Sequence, residues 1–255
     1  MSQLRVSVAT YNQVIFPHPE NGIPMLALER KATPWKDGSV SVRAQPLGGG
    51  VRILDPTSLA DMLGGIRFDS ERSETEQDFR ILIHPSQWDR VKQYCLLHLE
   101  DPHDLELEST PDRELLEEFE ETIHVDLKPE QYTVQPMGFV IEDQPVWTEN
   151  WYARGFPTVR VYRTYQVRLL DEKLCRSLLF TSQQISDGDL GMQALNNDAR
   201  RASSVLALPL KTVLESYLAL PLEARYGKIK VGGHELDESV LAILGDVDVP
   251  QYQRV

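Results

Sequence analysis

Apolar and polar positions alternate over residues 4–16, where Arg5-Val-Ser-Val-Ala-Thr-Tyr and Val14-Ile-Phe predict a strand. A loop from Pro17 to Pro24 separates it from a second strand, Met25-Leu-Ala-Leu-Glu-Arg. After a turn through Pro34 and Lys36-Asp-Gly, residues 39–45 place Val40, Val42 and Ala44 on one face of a third strand. Pro46-Leu-Gly-Gly-Gly interrupts the pattern, and Val51-Arg-Ile-Leu resumes it. Residues 55–107 carry elements of their own and read as an insertion. A charged stretch (69–78) leads to a short strand, Phe79 to His84, then to a helix from Gln87 to Glu100 capped by Ser86.

The next segment is an amphipathic helix. Thr110 suits the N-cap, Pro111 the first helical position, and Asp112 the first turn. Leu115, Leu116, Phe119 and Ile123 fall opposite Glu114, Glu117, Glu118 and Glu121. Strands are expected again at residues 132–141 and 158–170, joined by a loop with Trp147 and Trp151. In the second of these strands Arg160, Tyr162, Thr164, Gln166 and Arg168 share a face. From about residue 187 onward the pattern reads as helical, with candidate helices at 187–201 and 210–220 and a short apolar stretch at 239–244.

Composition bounds the partners. With 255 residues and a formal net charge of −13, the chain lacks the basic footprint of a nucleic-acid or anionic-membrane binder. It contains no apolar run of about 18 residues and no signal-peptide pattern at Met1, so a cytoplasmic location is expected. Cys95 and Cys175 stand far apart and read as buried thiols. None of His84, His98, His103 or His124 has metal-ligand spacing.

Glu114, Glu117 and Glu118 at i, i+3 and i+4 crowd three carboxylates on one stripe. Such an arrangement is either a solvated acidic face or a binding site for a divalent cation. Two stretches favour the second reading: MLALERKATPW…RAQPLGGGVRI (residues 25–53) and ESTPDRELLEEFEE (108–121). Together they resemble the Nudix hydrolases, whose signature is G-x5-E-x7-R-E-U-x-E-E-x-G-U with U aliphatic. The resemblance implies a Nudix-type α/β/α sandwich with a mixed sheet, a single domain spanning residues 1–255, and an inserted α/β segment at about 55–107.

It further implies that Glu114, Glu117 and Glu118 ligate Mg²⁺ or Mn²⁺, with Glu114 and Glu117 also candidates to orient or deprotonate water. Arg113 would hold a carboxylate in place. Gly48, Gly49 and Gly50 would approach the substrate, and Arg160 and Arg168 (with Arg154) would meet its phosphates while Tyr162 or Trp151 stacks on a base. Asp187 and Asp189 are either further ligands or helix caps. The expected activity is hydrolysis of a nucleoside diphosphate linked to another group. The alternative is a catalytically inactive Nudix-like domain that binds a nucleotide or a protein, and a homodimer is compatible with either.

Three departures stand out. More than fifty residues separate Gly50 from Glu108. Only Ser109 to Asp112 lie between Glu108 and Arg113, three fewer than the signature has. Glu120 stands where the signature closes with glycine, so the helix is expected to run on to Thr122 or Ile123.

Overall fold

The computed structural model describes residues 3–35, 37–147, 155–196 and 202–255, with the side chains of Glu114 and Ile123 outside the described set. Lys36, Trp151, Arg154 and residues 197–201 also lie outside it. In chain order the strands and helices are β1 (Leu4–Pro17), β2 (Pro24–Pro34), β3 (Val40–Gln45), β4 (Leu47–Gly50), β5 (Arg52–Ile53), α1 (Thr57–Leu63), α2 (Glu71–Glu76), β6 (Arg80–Ile83), α3 (Trp88–His98), β7 (Leu107–Glu108) and α4 (Pro111–Glu118). There follow β8 (Tyr132–Trp147), β9 (Pro157–Leu169), α5 (Glu172–Gln184), α6 (Asp187–Asn196), β10 (Ala202–Pro209), α7 (Leu210–Leu218), β11 (Ile229–Val231), β12 (His234–Leu236) and β13 (Gln253–Arg254).

The architecture is mixed α/β around a curled mixed sheet, and β1 is its axis. Along one edge β1 pairs in parallel with β9, from Arg5 opposite Thr158 to Ile15 opposite Arg168. Three strands share its other edge in succession: β6 at Leu4–Ser7, β4 at Ala9–Asn12 and β2 at Val14–Pro17, all antiparallel. β2 carries β10 on one side and hands over from β1 to β3 on the other. β8 and β13 extend the sheet beyond β9.

The long strands behave as their alternation predicts. On one face of the sheet Val6, Val8, Val159 and Val161 bury against Phe79, Trp88, Val91 and Cys95 of the inserted segment. Further along the same face Val14, Phe16, Val167 and Leu169 pack on Leu115 and Phe119 and on Leu174 and Leu178 of α5. On the opposite face Tyr11 and Tyr162 meet the C-terminal segment, which folds a 3₁₀ stretch at Glu238–Ile243 over the sheet.

The inserted segment is closed off at its base. β5 pairs with β7, Arg52 opposite Glu108 and Ile53 opposite Leu107, so the chain leaves and returns at one point. Between those ends it does more than decorate, because β6 joins the main sheet and α3 buries its apolar side there. The cap of this helical run is His84, whose Nδ1 accepts from the Ser86 amide ahead of a 3₁₀ turn, and not Ser86 as expected.

The C-terminal part differs from the helical expectation. α6 is described only to Asn196, and residues 202–209 form a strand, because their backbone completes the free edge of β2 over eight registered pairs. Pairing of this kind overrides a weak local pattern. α5 also lies where no helix was expected. Its N-cap Asp171 accepts from the Leu174 amide, and it buries Leu174, Cys175 and Leu178.

Candidate functional site

β4 and α4 meet. Although Gly50 and Arg113 are 63 positions apart, an Arg113 Nη donates to the Gly50 carbonyl at 3.2 Å. The remaining guanidinium nitrogens meet Glu108 at 2.9 Å and Glu117 at 3.1 Å. One arginine thus ties the glycine strand, the return strand of the insertion and the acidic helix together through charge-assisted contacts. With the two side chains 16% and 22% exposed, solvent screening of the Arg113–Glu108 pair is limited, whereas Glu117 is open to solvent.

The glycines do not interrupt the strand pattern as expected but are strand residues themselves, with Gly48, Gly49 and Gly50 opposite Tyr11, Thr10 and Ala9. Gly48 sits at φ +148°, and a Cβ there would lie 2.2 Å from the Thr10 carbonyl oxygen. Side chains are excluded by both conformation and space. A Cβ on Gly50 would lie 2.8 Å from the Asp78 carboxylate, which pairs with Arg80 at 3.1 Å. Burial pushes the Asp78 carboxyl up, against the pull of Arg80.

α4 begins as its sequence suggests, at Thr110 with extended φ/ψ, although the Thr110 side chain makes no capping bond. Past Glu118 the helix widens into a π turn over Phe119–Ile123, and His124 closes it at φ +58°, the left-handed position a glycine would ordinarily take.

Neighbouring glutamates on α4 turn to different partners. Glu117 faces Arg113 and solvent. Glu118 turns to β2, where the Lys31 ammonium stands 3.5 Å away, while the Thr122 hydroxyl donates to its other oxygen at 3.1 Å. Lys31 is also 2.5 Å from Glu29, a carboxylate only 1% exposed that accepts from the Gln45 amide at 3.0 Å. Burial pushes the Glu29 carboxyl up to about 7; Lys31 draws it down and Glu118 pushes it further up. Two carboxylates sharing one lysine leave this corner net negative.

Glu29, Lys31 and Gln45 were not singled out from the sequence. The available signal was a charge pair, Glu29 and Lys31, at strand spacing after the apolar run Leu26-Ala-Leu. Their nearness to α4 is a tertiary fact.

The expected arginines lie elsewhere. Arg160, expected at a substrate phosphate, is instead committed to fully buried Glu142, which also accepts from the Tyr226 hydroxyl. Tyr162, expected to stack on a base, is buried between Tyr11 and Tyr252 with centroids 5.2 and 6.3 Å away. Arg168 is exposed and lies on the sheet face opposite α4, its Nε donating to Gln166 at 3.1 Å. Asp187 pairs with Arg30 at 3.0 Å and His234 at 3.1 Å, and Asp189 bonds Ser186 at the start of α6. Cys95 and Cys175 are buried free thiols.

Among the described residues, no group of three or more His, Cys, Asp or Glu is drawn together as a metal cluster, and no helix is long and apolar enough to cross a membrane. Comparison with family models, with curated proteins and with solved structures gives no match.

Proposed function

We propose that this chain is a divalent-metal-dependent pyrophosphohydrolase of the Nudix type, acting on a nucleoside diphosphate linked to another group. The observation that supports it most is the Arg113 contact with the Gly50 carbonyl. It rejoins the two halves of the motif, the glycine strand and the acidic helix, across an insertion that is closed at its base.

The donors suit a hard cation. Glu29 and Glu118 carry more negative charge than Lys31 balances, and carboxylate oxygens are the ligands that Mg²⁺ and Mn²⁺ take. Glu117 and Glu118, with Glu114 by the motif, would hold the ion. Such an ion would supply charge neutralisation of the diphosphate and activation of water for attack. Arg113 keeps Glu117 oriented by holding its carboxylate at 3.1 Å. Burial pushes the Glu29 carboxyl up, so it holds a proton more readily than an exposed carboxylate does.

A second reading rests on Lys31. Its ammonium already bridges Glu29 and Glu118, as a cation would, which suits a Nudix-like domain that binds a nucleotide or a protein without hydrolysing anything. The purified chain, incubated with Mg²⁺ or Mn²⁺ and a panel of nucleoside diphosphate derivatives, separates the two. Metal-dependent turnover supports the hydrolase, and binding without turnover supports the second reading. The absence of both turnover and binding counts against the hydrolase and the nucleotide binder alike.

A further inference from the structure

On the sheet face turned away from α4 lies a cavity of about 240 Å³. The parallel register sets Gln13 beside Gln166 and Ile15 beside Arg168, so alternate residues of β1 and β9 supply one wall. A directed hydrogen-bond chain runs through it. Gln13 Nε2 donates to the Ile243 carbonyl at 2.6 Å, which leaves the Gln13 oxygen to accept from Gln166 Nε2 at 2.9 Å. The Gln166 oxygen then accepts from Arg168 Nε at 3.1 Å. Turning either amide over would set donor against donor or acceptor against acceptor, so one backbone carbonyl fixes the whole chain. Its anchor, Gln13, is 6% exposed.

That chain uses only the Nε of Arg168 and pre-orients the guanidinium, leaving its two Nη groups for a planar anion. Asp246 lines the same cavity, and among the described residues no ion pair joins it to Arg168. Leu210 and Leu214, both half-buried, supply apolar surface, with fully buried Leu244 packed behind them. The volume falls below the ~300–1,000 Å³ typical of drug-sized ligands, so it suits a small one.

We propose that this cavity binds a small zwitterion, an α-amino acid with an aliphatic side chain. Its carboxylate lies on the Arg168 fork, its ammonium on Asp246, and its side chain on Leu210 and Leu214. The site is built on β1, β9 and the C-terminal segment and does not rest on the hydrolase reading.

Titration calorimetry of the full chain tests it, with L-leucine as the probe and its two halves, isocaproate and isoamylamine, as controls. Leucine should bind saturably, and each half ligand should bind at least tenfold more weakly. Arg168→Met should weaken leucine at least tenfold. Asp246→Asn should weaken leucine and leave isocaproate unchanged. Both side chains belong to exposed residues, so the variants should fold, which thermal melting checks. No leucine heat at about 10 mM, affinity unchanged in Arg168→Met, or isocaproate binding as tightly as leucine would each overturn the proposal.

Discussion

Replacing Glu29 by Gln removes a buried charge while keeping the shape of the side chain. In the folded chain this carboxyl is pushed up from 4.5 to about 7, first by burial and then by Glu118, against the pull of Lys31. The unfolded chain therefore releases the proton near pH 4.5, and the folded chain releases it only near 7. Between those values the folded state binds more protons, so stability falls as pH rises, and the loss is complete above the folded value. Integrated from about pH 5.5 to about pH 8, the two values give a loss of about 2 kcal/mol from this one group. The amide of the Glu29→Gln variant cannot titrate. Urea unfolding of both proteins across that range should show the variant gaining about 2 kcal/mol on wild type as pH rises, whatever the offset between them at pH 5.5. A difference constant to within about 0.5 kcal/mol would refute the reasoning, because Glu29 would then titrate alike in both states. The offset itself is a separate quantity. Lys31 keeps Glu118 at 3.5 Å after the change, so the ammonium is not left alone.

Two further changes test the join between β4 and α4. Arg113→Ala removes the contacts to Glu108, Gly50 and Glu117 together and should cost about 2 kcal/mol in urea unfolding; a change under about 0.5 kcal/mol would mean the join contributes nothing. Gly48→Ala forces a Cβ to 2.2 Å from the Thr10 carbonyl at a φ of +148°, so β4 must move. A loss of about 3 kcal/mol or more is expected, and a melting temperature equal to wild type would contradict the strand geometry.

What could be read from the sequence follows from how local each signal is. The residues of β1, β2, β9 and α4 announce themselves because apolar residues recur at the element's own period, as in Val6 and Val8, Leu26 and Leu28, Val159 and Val161, and Leu115 and Phe119. β10 does not, because Ala202–Pro209 becomes a strand only by completing the edge of β2. α5 left a trace in Asp171, its N-cap, and in Leu174 and Leu178, four positions apart on one buried face. The acidic helix was legible; the glycine segment read as an interruption, because only its pairing with β1 makes Leu47–Gly50 a strand. Their junction was not, since it depends on Arg52 and Glu108 pairing to close a long insertion. The same distance hid Glu29 and Lys31, which acquire meaning only when Glu118, 87 positions from Lys31, is folded against them. Arg160 illustrates the reverse error. Alternation put it on a face with Arg168, but only the fold shows that Glu142 takes it up.

The central claim is that the glutamates of α4 hold a divalent cation that drives hydrolysis of a diphosphate bond. Its most direct test is Mg²⁺-dependent turnover of nucleoside diphosphate derivatives by wild type, Glu117→Gln, Glu118→Gln and Glu121→Gln. Each substitution keeps the amide-sized shape and removes one charge. Turnover by wild type, falling by roughly two orders of magnitude or more in Glu117→Gln and Glu118→Gln and little changed in Glu121→Gln, is the predicted result. Equal turnover in all four proteins, or a Mg²⁺-induced thermal shift identical in wild type and Glu118→Gln, would contradict it.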